Sequence, residues 1–180
     1  MFFWPVRVYY EDTDCGGVVY YANYLRFMER ARTEWLRALG FEQDVLATQH
    51  GVIFAVRSVA LDFNRPARFN DLLRVSAGVV ERRAASLTFA QQVAAMKPGE
   101  EMERHSGMQA ARAKSFNVEA PIDGGIHAGI NPEIESKIQY AVDPGSVLCA
   151  GRVQVVCVDA TGLRPRRIPD VLLREISRVC

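Results

Sequence analysis

The sequence predicts an α+β fold built on an antiparallel sheet, and three observations carry that expectation. A strand-like opening stretch leads into one long amphipathic helix. A run of Val-, Ile-, Phe- and Thr-rich stretches follows, separated by turn signals and by no helices. The apolar stripe of the helix is broad, so it must pack along something large, such as one face of a sheet.

The opening stretch, FFWPVRVYYED over 2–12, reads as a strand, with Pro5 near its start, where a missing donor is tolerated on a sheet edge. After Gly16 and Gly17, Asn23 reads as the N-cap of YLRFMERARTEWLRAL over 24–39. Tyr24, Met28, Ala31, Trp35 and Leu39 recur there at helical spacing, and Arg26, Glu29, Arg30, Arg32, Glu34 and Arg37 carry most of the polar side. Gly40 suits the position just past a helix end. A short helical turn is expected over 42–48. Strands are expected over 51–64, 72–83 and 86–96, divided at Asn64-Arg65-Pro66 and over 82–85. VLCAGRVQVVCVD (147–159) adds a strand, and DVLLREISRV (170–179) adds a short amphipathic helix.

One segment breaks this pattern. Residues 97–146 mix charge, glycine and proline, include His105 and His127, and sustain no period. They read as an insertion within a single domain spanning 1–180, replacing a turn between the strands at 86–96 and 147–159. Closure entropy grows only by about 0.6 kcal/mol per doubling of loop length, so those strands can pair whatever joins them. NPEIESKIQYAV is the piece of the insertion expected to form a short helix.

Composition excludes several classes. With 49% apolar residues, 24% charged residues and a net charge of +1, the chain has a proper core and no bias toward nucleic acid. Cys15, Cys149, Cys157 and Cys180 show no C-x-x-C spacing, which disfavours a zinc site or a disulfide framework and fits free thiols in a reducing compartment. MFFWPVRVYY has no basic region like that of a signal peptide, and no stretch approaches the roughly 18 apolar residues that span a bilayer. A soluble cytoplasmic protein is expected, without a transmembrane segment and without a metal.

The chemistry concentrates in YEDTDCGGVVYYANYLRF, residues 10–27. Glu11, Asp12 and Asp14 end the strand, Gly16 and Gly17 loosen the backbone, and the helix begins at once. The plain reading is a polar loop in which Asp12 and Asp14 form Asx turns. The alternative is an anionic side chain held against the amide end of a helix.

Residues 10–36, YEDTDCGGVVYYANYLRFMERARTEWL, resemble the signature of the hotdog-fold acyl-CoA thioesterases of the 4-hydroxybenzoyl-CoA thioesterase superfamily, and most nearly their Tol-Pal-associated (YbgC-type) branch. DFNRPARFNDLLRV, RRAASLTFAQQV and the pair VVCVD and RPRRIP resemble the later strands and tail, so the resemblance spans about 3–96 and 147–176. It implies a long central helix wrapped by a five-stranded antiparallel sheet. It further implies edge-to-edge pairing into a homodimer or homotetramer, with active sites at the interface. Asp14 takes the place of the catalytic carboxylate, and the backbone amide of Tyr21 takes that of the donor to the thioester carbonyl. That branch often carries His where this chain has Tyr21, a departure that matters only if a side chain assists there. Acyl-CoA is the implied substrate, no separate cofactor is implied, and an acyl carrier protein or a Tol-Pal-related protein is a conceivable partner.

Physical chemistry agrees with this assignment. A helix start offers unpaired N–H groups and about half a unit of positive charge. One such donor contributes about 3–4 kcal/mol in acyl transfer. Asp14 can attack the carbonyl to give a mixed anhydride or act as general base on water, and the sequence leaves both open. Gly16, Gly17 and Asn23 complete the loop beside the substrate. For the phosphates of CoA, Arg82 with Arg83 and Arg166 with Arg167 are preferred over Arg65, Arg68 and Arg164, because the adjoining strands are expected to bring them near the dimer seam. Cys15 has no neighbouring His to activate it, the nearest being His50. Glu29 and Glu34 read as surface partners of Arg30, Arg32 or Arg37. Two rivals stand against a thioesterase. A hotdog dehydratase acting on acyl-carrier-protein thioesters needs a His base that this motif lacks. A non-catalytic envelope-system interaction module sits poorly with an intact D-x-D-x-G-G.

Overall fold

Five strands form one antiparallel sheet in the computed structural model, which describes residues 1–96 and 146–179. The strands are β1 (Phe2–Arg7), β2 (Val52–Phe63), β3 (Leu72–Arg82), β4 (Ser86–Ala95) and β5 (Val147–Asp159), in the spatial order β1-β3-β4-β5-β2. Among the described residues three helices accompany them, α1 (Tyr21–Ala38), α2 (Gln43–His50) and α3 (Asp170–Val179), so the fold is α+β. The insertion expected over 97–146, with its NPEIESKIQYAV helix, lies outside the described residues except for Ser146. Among the described residues, no helix is long and apolar enough to cross a membrane.

Alternation along the strands builds the core. Leu73, Val75 and Ala77 of β3 share a buried face with Phe89 and Val93 of β4 and Val153 of β5. Against that face α1 buries Phe27, Met28, Ala31 and Trp35, and the Trp35 ring meets Phe89 edge-on at 5.1 Å. Each such large apolar side chain contributes about 1.5–3 kcal/mol on burial. Leu172 and Ile176 of α3 extend the same core.

Three local features depart from the sequence reading, each for a physical reason. β1 ends at Arg7, because the Asp12 carboxylate accepts the Tyr9 N–H at 2.9 Å and closes a 3-10 turn over Tyr10–Asp12. Gly51 belongs to the end of α2 and not to a strand: its φ of 62° is the left-handed conformation that terminates a helix. β2 carries a bulge at Arg57, where the register with β5 slips between Val56 and Ser58. The extra residue resets the alternation, so Phe54 and Val56 before it and Val59, Leu61 and Phe63 after it face the same side of the sheet as α1.

Candidate active site

The loop between β1 and α1 is tied from both sides. Beyond Arg7 the ladder continues with Val8 N–H to the Asp71 carbonyl at 2.9 Å and Asn70 N–H to the Val8 carbonyl at 3.0 Å. Asp12 is buried, and its carbonyl accepts both the Tyr20 N–H (2.9 Å) and Asn23 Nδ2 (2.8 Å). Asn23 is therefore not the N-cap. It lies inside the first turn of α1 and fastens the helix to the end of the strand. On the other side, Val19 donates to the Ala67 carbonyl (2.8 Å), and the Tyr24 hydroxyl accepts the Ala67 N–H (2.8 Å).

Asp14 stands exposed at the head of this loop. Its N–H reaches the Val18 carbonyl (2.9 Å), and its own carbonyl accepts the Gly17 N–H (3.0 Å). One carboxylate oxygen, Oδ1, accepts the Gly16 N–H at 2.8 Å, which is an Asx turn, so the plain reading of the motif describes part of its geometry correctly. Oδ2 has no protein partner among the described residues, and the turn fixes the direction in which the carboxylate points. A Cβ at position 16 would stand 3.1 Å from Oδ1, and Gly17 holds a φ of 70°; both glycines follow from this turn.

The helix that follows opens without a side-chain cap. Tyr20 is its N-cap residue, and the Asn23 N–H bonds back to the Tyr20 carbonyl at 2.8 Å. Among the described residues, the N–H groups of Tyr21 and Ala22 have no acceptor. A carboxylate on a rigid turn and two unfilled amides at a helix start thus lie on one short stretch of chain, the two elements that acyl transfer requires. Aromatic rings rim the stretch: Tyr20 and Tyr21 sit with centroids 4.5 Å apart, and exposed Tyr10 meets exposed Phe69 edge-on at 5.9 Å. Interaction with the neighbouring Tyr21 phenol raises the pKa of Tyr20. Cys15 is exposed next to Asp14, whereas burial pushes the Cys149 thiol up to about 12; Cys15, Cys149 and Cys157 are all free.

The structure does not bring the preferred arginines to Asp14 within one chain. Asp14 belongs to the end of the sheet where Arg7 pairs with Leu72 and Phe63 with Cys149. Arg82, at the far end of β3, lies roughly 30 Å away at about 3.3 Å per residue. There Arg82 donates to Ser177 Oγ and to the Leu173 carbonyl (3.4 Å), pinning α3, and Arg83 pairs with Glu81 at 2.7 Å. β4 and β5 separate that corner from β2. Arg166 donates to the Gly51 carbonyl at 3.2 Å and faces Asp159 at 3.6 Å, at the β2 edge of the same far end, and Arg167 is exposed. Among the described residues, Arg68 does lie beside the loop, bridged through its backbone to Val18, with its N–H on Asp71 Oδ2 (2.8 Å) and its side chain exposed. The turn NRPARFND held that signal, and only the pairing with Val18 shows where the turn leads.

Farther along α1, a cavity of about 90 Å³ opens between α1, α2 and the sheet, walled by Trp35, Leu36, Phe54, Val56 and Phe89. Arg32 and Glu29 line it as well. Arg32 is not held by a surface carboxylate. Its Nη1 donates to Oε1 of the buried Gln91 at 2.6 Å, and Gln91 in turn donates to the Met28 (3.1 Å) and Ser76 (3.0 Å) carbonyls. Burial lowers the pKa of Arg32, and the charge of Glu29 acts against that shift. Glu34 does pair on the surface, with Arg37 at 2.5 Å.

Comparison with known proteins gives this geometry a family. Residues 8–176 match the model of the thioesterase-like superfamily. The acyl-CoA thioester hydrolase YbgC of Escherichia coli O6:H1 is 48% identical over 178 residues, covering 99% of this chain and 97% of its own. The acyl-CoA thioesterase YbgC of Haemophilus influenzae is 50% identical over 92 residues, 51% of this chain and 68% of its own. Among solved structures, a probable thioesterase from Bartonella henselae superposes with a TM-score of 0.62 at 25% identity, covering 93% of this chain and 98% of its own. A 1,4-dihydroxy-2-naphthoyl-CoA thioesterase from Synechocystis shares the fold, with a TM-score of 0.65 at 16% identity over 98% of this chain and 95% of its own. With the family model matching nearly end to end and a full-length relative at 48% identity, the chain belongs to the thioesterase-like superfamily.

Proposed function

We propose that the chain is an acyl-CoA thioesterase, hydrolysing the thioester bond to free CoA and a carboxylic acid. The observation that carries this reading is the pairing, in one stretch, of the Asp14 carboxylate with the unfilled amides of Tyr21 and Ala22. The name of the full-length relative at 48% identity supports the substrate class. The Tyr21 N–H donates to the carbonyl oxygen and stabilises the charge that develops on it. In one route an Asp14 oxygen adds to the carbonyl carbon, CoA thiolate leaves, and water hydrolyses the mixed anhydride, returning Asp14. In the other, Asp14 takes a proton from water as the hydroxyl adds, and passes it to the departing sulfur. Both routes need a carboxylate held in one direction, and the Gly16 bond supplies that hold.

In this reading α1 is the helix around which the sheet curves, and the enzyme works as a dimer. The two sheet edges support pairing through one side. β1 is short and contains Pro5, whereas β2 has 12 residues and no proline. Antiparallel pairing of β2 with its copy places the Phe63 end of one chain beside the Val52 end of the other. Arg166 and Arg167 of the partner subunit then approach the Asp14 end and can meet the phosphates of CoA. Release of free thiol from a panel of acetyl- to palmitoyl-CoA and aromatic acyl-CoAs tests the proposal. Hydrolysis of at least one by the purified chain is the expected result, and no hydrolysis of any refutes it.

A further inference from the structure

We infer that Arg32 closes the far end of the acyl-binding lane and limits the length of acyl chain the enzyme accepts, an inference that rests on the thioesterase reading above. The lane is defined by two lines of residues. On α1, Tyr21, Leu25, Met28 and Arg32 follow one another at three- and four-residue spacing, so they share one side of the helix. On β2, the bulge at Arg57 turns Phe63, Leu61, Val59 and Val56 toward the same side. The two lines run in opposite chain directions, fixed at one end by the Tyr24–Phe63 ring contact of 5.5 Å and at the other by the cavity that Arg32 and Phe54 line together.

Phe63, Val59 and Val56 are 51%, 42% and 53% exposed and Leu61 is half-buried, so apolar surface of β2 stays accessible along the run, whereas Met28 of α1 is fully buried. From the Tyr21 amide to Arg32 is about 16 Å along the axis, eleven residues at 1.5 Å each, close to an extended lauroyl chain. An acyl group whose carbonyl sits on the Tyr21 amide therefore lays its tail over Val59 and Val56 and ends in the cavity walled by Phe54, Trp35 and Leu36.

What it meets there is charged and fixed. Gln91 is only 1% exposed and is itself anchored by two carbonyls, so the guanidinium bonded to it is held in place. A longer alkyl tail must strip water from that cation and offers no acceptor in return. Chains that stop short of Arg32 bury their methyl end on apolar walls and avoid that penalty.

The test is the ratio of kcat/KM for palmitoyl-CoA to that for octanoyl-CoA, measured for the intact chain and for Arg32→Met. The expected ratio is well below one in the wild type and at least tenfold higher in Arg32→Met; Arg32→Lys, which keeps the charge, stays near the wild type. If loss of the Gln91 bond prevents Arg32→Met from folding, Val56→Trp decides. Position 56 is exposed, and the larger ring narrows the lane, lowering the palmitoyl ratio tenfold. A ratio within twofold of wild type in the folded variant overturns the inference, and is the outcome expected if a second copy of the chain fills the strip. A wild type that cleaves no acyl-CoA refutes the thioesterase reading itself, and this inference falls with it.

Discussion

The two ends of the sheet are built by opposite rules. At the end where β3 and β5 finish, most polar side chains are engaged: Arg82 donates to α3, Arg83 to Glu81 and Arg166 to Gly51, and the Asp159 carboxylate accepts the N–H groups of Thr161 (3.0 Å) and Gly162 (2.8 Å). At the other end the buried Asp12–Asn23 tie is made, but the exposed polar groups of the loop are left open. Asp14 keeps one free oxygen, the first amides of α1 have no acceptor among the described residues, and aromatic rings face solvent. On the proposed reading, the contrast separates polar groups that hold the fold from polar groups held ready for the substrate. A rigid frame with unfilled groups on its surface is what transition-state stabilisation requires.

That contrast can be broken at the open end by backbone alone. Gly17 has no heavy atom within 4 Å of where a Cβ would stand, so a side chain fits, but its φ of 70° does not suit a β-branched residue. Gly17→Val should therefore lower kcat/KM at least tenfold, the turn being strained by about 1–3 kcal/mol. Gly17→Asn, which tolerates the left-handed region, should retain most activity. Equal activity in both variants would mean that the turn does not orient Asp14.

At the far end, effects should be smaller and of a different kind. Replacing both Arg166 and Arg167 by Gln should raise KM for acyl-CoA roughly fivefold, as an exposed ion pair contributes about 0.2–1 kcal/mol. A pantetheine thioester without the nucleotide phosphates should be unaffected. Equal shifts for both substrates would make these arginines purely structural. The smallest effect is expected at Asp159. The Gly162 and Thr161 amides, helped by Arg166, hold its carboxyl below the usual aspartate pKa. A carboxylate with a depressed folded pKa stabilises above its unfolded pKa and loses that contribution as pH falls through the folded value. The Tm deficit of Asp159→Asn should therefore be present at neutral pH and shrink under acid; a constant deficit would contradict it.

Much of this was legible in the chain. The stripe of Tyr24, Met28, Ala31 and Trp35 predicts α1 because helical periodicity is local, and Pro5 correctly marks an edge strand. The choice of Asp14 within D-x-D-x-G-G rests on the resemblance to the thioesterase signature and not on periodicity. What the sequence missed depends on contacts between distant segments. Asn23 looks like a cap until the Asp12 carbonyl is seen to claim its side chain across eleven residues. Arg32 looks like a surface charge until β4 presents Gln91. Arg82 and Arg83 look available until strand direction sends them to the end opposite Asp14. Local pattern says what a residue is able to do, and register decides where it does it.

The most direct test sets the two acids of the motif against each other. Asp14→Asn keeps an oxygen for the Gly16 N–H and removes only the charge, so the loop should fold as before. Asp12→Ala removes the acceptor of Tyr9 and leaves Asp14 untouched. With an acyl-CoA that the wild type cleaves, kcat and Tm are measured for both variants. Asp14→Asn should lose about a hundredfold or more in kcat, in the range of positioned proton transfer, at unchanged Tm and KM. Asp12→Ala should lose Tm first. If Asp14→Asn instead retains most of its turnover, the carboxylate at the head of the loop is not the catalyst, and the open end of the sheet serves another purpose.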